Sequence, residues 1–163
     1  IMGETTLVAE LTTLIQQQQQ LASQLEKLLQ QEQQYLLEDN PDAMRPLIEQ
    51  KEQLAKQMAA LQNQILTRTK ADYPISRDDE LGQYIQQADA SGQLFQQWES
   101  LLKIAENCRR INEINGATLN LKKRYTENGL AILRGQIGGS RASVYSKKGV
   151  QSSSQTSRIL SKA

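Results

Sequence analysis

The stretch EDNPDAM (residues 38–44) separates two long runs of leucine, glutamine and glutamate, and it decides the fold. Asn40 is a favoured N-cap residue and Pro41 is favoured at the first position of a helix, so a new helix is predicted to begin here. Because the turn is short, the helices on either side of it are expected to pack antiparallel as a hairpin.

The segment before this turn, from about Thr6 to Glu38, has the pattern of a coiled-coil helix. Positions spaced alternately four and three residues apart form its seam: Leu7, Leu11, Leu14, Gln18, Leu21, Leu25, Leu28, Glu32 and Tyr35. Ile15, Leu29 and Leu36 lie beside the seam and widen it, which favours burial against more than one helix. The run QQQQQ (residues 16–20) keeps this register, so it is interpreted as a solvated helix face.

The segment after the turn predicts a second helix that ends near Lys70. Its seam has the same alternating spacing and consists of Leu47, Lys51, Leu54, Met58, Leu61 and Ile65. A lysine on a seam either extends its amine to water or pairs with an acid of the first helix.

Two further helices are expected, a short one from Asp79 to about Ala88 and a very long one from about Ser91 to Gln136. The apolar stripe of the long helix turns polar at Asn112 and Asn115, followed by Gly116. Because Gly116 and Gly129 both disfavour a helix interior, one loose or bent place in this helix is expected. The stripe then resumes at Leu119, Tyr125, Leu130, Leu133 and Ile137.

The expected fold is therefore all-α. An elongated antiparallel helical hairpin, one short helix and one very long helix form a coiled-coil-like bundle domain at residues 1–137. A flexible, basic Gly/Ser-rich C-terminal tail follows at residues 138–163.

Charge is distributed unevenly along the chain. Residues 1–99 hold 7 basic and 15 acidic side chains, residues 100–137 hold 7 and 3, and residues 138–163 hold 5 and none. The acidic front and the basic back either pair with each other or meet different partners.

The residue types do not favour catalysis or metal binding, so an enzyme is not expected and neither is a cofactor. The chain has no histidine, and its one cysteine, Cys108, lies on an apolar stripe and is interpreted as a small core residue. Basic pairs such as Arg109-Arg110 lack a recognition motif, so no nucleic-acid partner is expected, and these charges are interpreted as facing the acidic first helix. No apolar run suffices for stable membrane insertion, and a cytoplasmic location is expected.

The function class that remains is the binding of other proteins through helices. The long helix exceeds the hairpin helices in length, so the stretch Leu119 to Ile137 is either an uncovered docking surface or core against the open end of the first helix. Both interpretations stay open from the residues alone.

The order of three motifs resembles the FlgN family of flagellar type III export chaperones. These motifs are LLEDNPDAMRPLIEQKEQLAKQMAAL (residues 36–61), INEINGATLNL (residues 111–121) and YSKKG (residues 145–149). The resemblance implies a cytoplasmic chaperone that holds hook-associated (hook–filament junction) proteins by their helical C-terminal ends. It would prevent their premature assembly and deliver them to the export gate and ATPase complex.

The same resemblance implies roles for particular residues. Asn115 and Gly116 match a helix motif, Leu119 to Ile137 would carry the substrate-binding stripe, and Tyr145 with Gly149 would dock on the export apparatus. The tail departs from the family pattern, because Ser146, Lys147 and Lys148 stand where that pattern has a glycine and an acid. Ile159 and Leu160 are expected to be a further anchor of the tail, for the apparatus or for the long helix itself.

The competing interpretation is a structural coiled-coil subunit or tether of a larger assembly, which the hairpin seams serve equally well. Self-association through the tail or the helices also stays open.

Overall fold

The structure is a computed structural model that describes residues 2–75 and 78–137, with side chains described for 6–75 and 80–135. It confirms the all-α fold with four helices in this part of the chain: α1 (Met2–Glu38), α2 (Pro41–Lys70), α3 (Asp78–Ala88) and α4 (Gln93–Ile137). The chain divides into a first unit, Ile1–Thr118, and a second unit, Leu119–Ala163. The expected tail at 138–163 lies outside the described residues, and its boundary with the bundle stays a prediction.

The turn between α1 and α2 forms as the sequence predicts. Asp39 adopts the left-handed conformation (φ 57°), and the backbone N–H of Asn40 donates to the carbonyl of Tyr35 at 3.2 Å. This pattern is a Schellman ending of α1, in which a left-handed residue stops the helix. The side chain of Asn40 then accepts a hydrogen bond from the N–H of Ala43 at 3.3 Å, and Pro41 begins α2. One short segment therefore ends one helix, caps the next and reverses the chain.

Helix α1 is covered most deeply along a line that coincides with its predicted seam only in part, at Leu11, Gln18, Leu28 and Glu32. Its buried residues are Leu11, Ile15, Gln18, Ala22, Leu28, Leu29, Glu32 and Leu36, whereas Leu14, Leu21, Leu25 and Tyr35 are only half-buried. The reason is that α1 contacts both α2 and α4, so the most protected line lies between these two contacts. The expectation that the flanking residues serve a second helix is confirmed.

Within the first unit, α4 runs parallel to α1. The Cys108 thiol lies 3.5 Å from the carbonyl oxygen of Ala22, and the side-chain amide of Asn115 donates to the carbonyl of Leu29 at 2.9 Å. The second pair lies seven residues, or one heptad, beyond the first on each helix, so the two helices run in the same direction and keep the same register. The buried core joins all four helices and consists of Leu11, Ile15, Ala22, Ile65, Ile75, Leu81, Ile85, Leu94, Trp98 and Leu101.

The start of α4 is set by a polar turn at DASG (residues 89–92). The Asp89 carboxylate accepts hydrogen bonds from the hydroxyl and N–H of Ser91 and from the N–H of Leu94. These hydrogen bonds, that of the Ser91 hydroxyl above all, lower the pKa of the Asp89 carboxyl. Gly92 takes a positive φ of 76°, which a side chain would strain.

Candidate protein-binding surface

The described part of the second unit exposes its large apolar side chains. The exposed fractions are 54% for Leu119, 52% for Leu121, 69% for Tyr125, 48% for Leu130, 63% for Ile132 and 55% for Leu133. Four of the five predicted stripe residues are in this set, and the side chain of Ile137 lies outside the described residues. A group of this kind on one short helix segment is a candidate for a protein-binding surface.

These six side chains form two stripes on α4. A helix turns about 100° per residue, so Leu119, Leu130 and Leu133 lie along one side, here called the leucine stripe. Leu121, Tyr125 and Ile132 lie along another side, here called the tyrosine stripe, about 130° around the axis. The predicted set is thus divided, because Tyr125 is on the second stripe.

Sequence reasoning missed Leu121 and Ile132. Their spacing to Tyr125 of four and seven residues is a helical signal of its own. This repeat lies on a different side of the helix from the leucine stripe, so it is not part of a single continuous stripe along α4. The surface therefore has two sides for contact.

A buried polar network joins α1, α2 and α4 in the first unit. The Asn115 amide nitrogen donates to the carbonyl of Leu29 and to a Glu32 carboxylate oxygen, each at 2.9 Å. The Lys51 amine lies 3.5 Å from the other Glu32 oxygen and 2.5 Å from the side-chain oxygen of Asn112. Only 8% of the Glu32 side chain and 2% of Asn115 are exposed. Of the two alternatives left open for Lys51, the structure shows the pairing with an acid of the first helix.

This network places Asn115 in the packing between helices. Helix α4 continues without a break through Asn115 and Gly116, and space surrounds the position that a Gly116 Cβ would take. A role of this pair as a hinge stays a prediction. What the structure adds is that Asn115 holds α4 against α1.

Two other polar residues of α4 have structural roles. Cys108 is buried, as predicted, and burial raises the pKa of its thiol, with a smaller contribution from Glu26. Arg109 pairs with Glu106 and Glu113 of its own helix, which raises the pKa of its guanidinium. The interpretation that Arg109 faces the first helix was wrong, because acids three positions before and four after it are closer partners.

The first unit also has an apolar groove of about 530 Å³. Met58, Phe95, Trp98 and Leu102 contribute to its walls. Gln18 lines it as well, and its amide nitrogen donates to the carbonyl of Met58 at 3.0 Å, whereas its oxygen is buried without a hydrogen-bond partner. Gln18 is therefore buried, as its seam position predicts, and the interpretation of residues 16–20 as a solvated face was wrong for this residue.

Several predicted site residues lie beyond the part of the chain that the structure describes. Tyr145, Gly149, Ile159 and Leu160 belong to this group, so their roles stay predictions. Among the described helices, none is long and apolar enough to cross a membrane. Within residues 2–75 and 78–137, no group of three or more acidic or cysteine side chains is arranged to hold a metal ion.

Comparison with known proteins identifies the family. A family model described as FlgN protein matches residues 2–153, which is nearly the whole chain. Searches of curated proteins and of solved structures found no match. The family match agrees with the all-α fold and with an exposed apolar helix surface suited to protein binding. The chain therefore belongs to the FlgN family, which is a family of flagellar export chaperones.

Proposed function

We propose that this protein is a cytoplasmic chaperone for hook-associated proteins of the flagellum. It binds their helical C-terminal ends, prevents premature assembly and delivers them to the gate and ATPase complex of the type III export apparatus. It acts by binding alone, without catalysis and without a cofactor or nucleic acid. The observation that carries this proposal is the exposure of six large apolar side chains between Leu119 and Leu133.

The energy available from this surface suits reversible capture. Fully burying a Leu, Ile or Phe side chain contributes about 1.5–3 kcal/mol, so covering one that is half exposed contributes about 1 kcal/mol. Six such side chains together contribute on the order of 6 kcal/mol, and the ordering of a client segment costs about 2–5 kcal/mol of this. A client helix covering one stripe alone would be held weakly, so contacts on both sides of α4 favour capture.

The test of substrate capture is the double variant Leu130→Asp plus Leu133→Asp. We expect loss of hook-associated protein in a pull-down, because two carboxylates would enter the apolar contact. The matched control is Leu37→Asp plus Ile48→Asp, which changes two exposed apolar residues of the first unit. Both variants should keep the wild-type circular dichroism spectrum. Undiminished capture by the Leu130/Leu133 variant would refute the proposed site.

The tail is proposed to dock on the export apparatus rather than to hold the client. Tyr145→Ala is therefore expected to weaken binding to purified export-gate and ATPase components more than it weakens capture of hook-associated protein. Equal loss in both assays would count against separate sites. Ile159 and Leu160 can be tested in the same way as a second anchor.

The alternative function is a structural coiled-coil subunit or tether, which the parallel packing of α1 and α4 also suits. Deletion of residues 138–163 separates the two, since a spacer does not need the tail and an export chaperone does. Co-purification from native cytosol gives a second test. One hook-associated protein at one-to-one stoichiometry supports the chaperone, and a stable multi-subunit assembly supports the tether.

A further inference from the structure

The two stripes of the second unit differ in the charges beside them. Between Leu119 and Arg134, α4 carries four basic side chains and one acidic side chain. At about 100° per residue, Lys123 and Arg134 lie roughly 50–70° from the centre of the leucine stripe and on the same edge of it. Both are exposed and stand eleven residues apart, which is three helical turns. They therefore form a basic border along the leucine stripe.

The remaining charges weaken this border but leave it positive. Lys122 lies on the opposite edge of the leucine stripe. Glu127, the one acid, lies about 90° from the stripe's centre, on the edge of Lys123 and Arg134 and four residues after Lys123, so it offsets one of their two positive charges. Arg124 lies about 150° from that centre and closer to the tyrosine stripe. The leucine stripe thus has basic residues on both edges. The tyrosine stripe has the uncharged Asn128 and the basic Arg124 on one side.

We infer that the leucine stripe binds an amphipathic client helix whose apolar face is bordered by glutamate or aspartate. This inference rests on the proposed function, and it adds the chemistry by which a client is chosen. Leu119 and Leu133 are fourteen residues apart, so the stripe is about 21 Å long and takes roughly four turns of a helix. The leucine stripe supplies three of the six apolar contacts of the surface, while the charges decide which helix is accepted and in which orientation.

Charge complementarity also argues against a nucleic acid as the occupant of this stripe. A phosphate backbone would use the lysines but would leave three half-exposed leucines at the centre of the contact without an apolar partner. An acidic amphipathic helix matches both the apolar centre and the basic border.

The experiment uses two designed peptides of about two heptads, the length of roughly four helical turns, with the same leucine seam. One carries glutamate at every position flanking the seam, and the other carries lysine there. We expect the full-length protein to bind the glutamate peptide about tenfold more tightly at low salt, since several exposed ion pairs each contribute modestly. This preference should shrink toward high salt, where such pairs are screened.

Charge reversal on the protein locates the effect. Lys123→Glu plus Arg134→Glu should abolish or invert the preference between the two peptides, while Arg124→Glu, the matched control beside the tyrosine stripe, should change it less than about twofold. These are exposed helix positions, and unchanged circular dichroism will show that each variant is folded.

The outcomes separate this inference from the proposed function. Equal binding of both peptides, a preference for the lysine peptide, or an effect of Arg124→Glu as large as that of the double variant would overturn the inference. A further outcome would also overturn the inference. If the protein forms dimers in the absence of peptide, and Lys123→Glu plus Arg134→Glu abolishes these dimers, then the leucine stripe binds a second copy of the chain and not a client helix. The proposed function fails instead if the Leu130→Asp plus Leu133→Asp variant still captures hook-associated protein in full.

Discussion

Replacing Asn115 by alanine tests whether the buried polar network holds α4 to the hairpin. Its amide nitrogen donates to a backbone carbonyl of α1 and to the Glu32 carboxylate, each at 2.9 Å. The alanine variant loses both bonds and leaves a buried carboxylate with Lys51, at 3.5 Å, as its remaining partner within the network. The free energy of unfolding should therefore decrease much more in this variant than when a surface residue is replaced by alanine.

The magnitude follows from these contacts. A hydrogen bond to a charged group contributes about 1.5–3 kcal/mol and one to a neutral group about 0.5–1.5 kcal/mol. The buried Asn115 side-chain oxygen has no hydrogen-bond partner in the described structure, so removing it recovers part of this loss. We expect a net decrease of about 2–3 kcal/mol in the free energy of unfolding. For a protein of this size that lowers Tm by roughly 5–10 °C.

The assay is urea unfolding followed by far-ultraviolet circular dichroism, with a thermal scan of the same samples. Asn107→Ala is the matched control, because Asn107 is an exposed asparagine of the same helix. Asn115→Asp is a second variant that keeps the shape but places a carboxylate beside Glu32, so its cost should be no smaller than that of alanine. The reasoning is refuted if Asn115→Ala costs no more than Asn107→Ala, or if Asn115→Asp is as stable as wild type.

Three further predictions concern the first unit. Asn40→Ala removes the N-cap of α2 and should lower the free energy of unfolding by about 1 kcal/mol in urea titrations. Gly116→Ala should raise it by about 1 kcal/mol, since space surrounds the new Cβ. If Gly116 is a hinge, this variant also loses client capture, whereas the matched Gly129→Ala does not. Because burial raises the pKa of Cys108, less of it is thiolate near pH 8, and its labelling by a thiol reagent should be slow until urea unfolds the protein.

The helices and the hairpin could be predicted because their signals are local. The Asn40 cap, the position of Pro41 and the heptad spacing of α1 act within a few residues of the chain, and the structure keeps all three. The depth of burial could not be predicted in the same way. The sequence placed Leu14 and Leu21 on the seam, yet Ile15 and Ala22 are more deeply buried because α4 covers that side of α1.

For the candidate surface, the sequence by itself determined that the long helix carries apolar residues beyond Asn115, and the motif order pointed to the FlgN family. Only the tertiary structure decided which of these residues remain uncovered. Their division into two stripes follows from the helical spacing that the sequence already contains. The tertiary structure also decided that Asn115 bonds to Glu32 and Leu29, which are more than eighty residues away in the chain. The physical reason is that helix formation depends on neighbours within about one turn. Burial and side-chain pairing depend on which distant helices come to lie alongside.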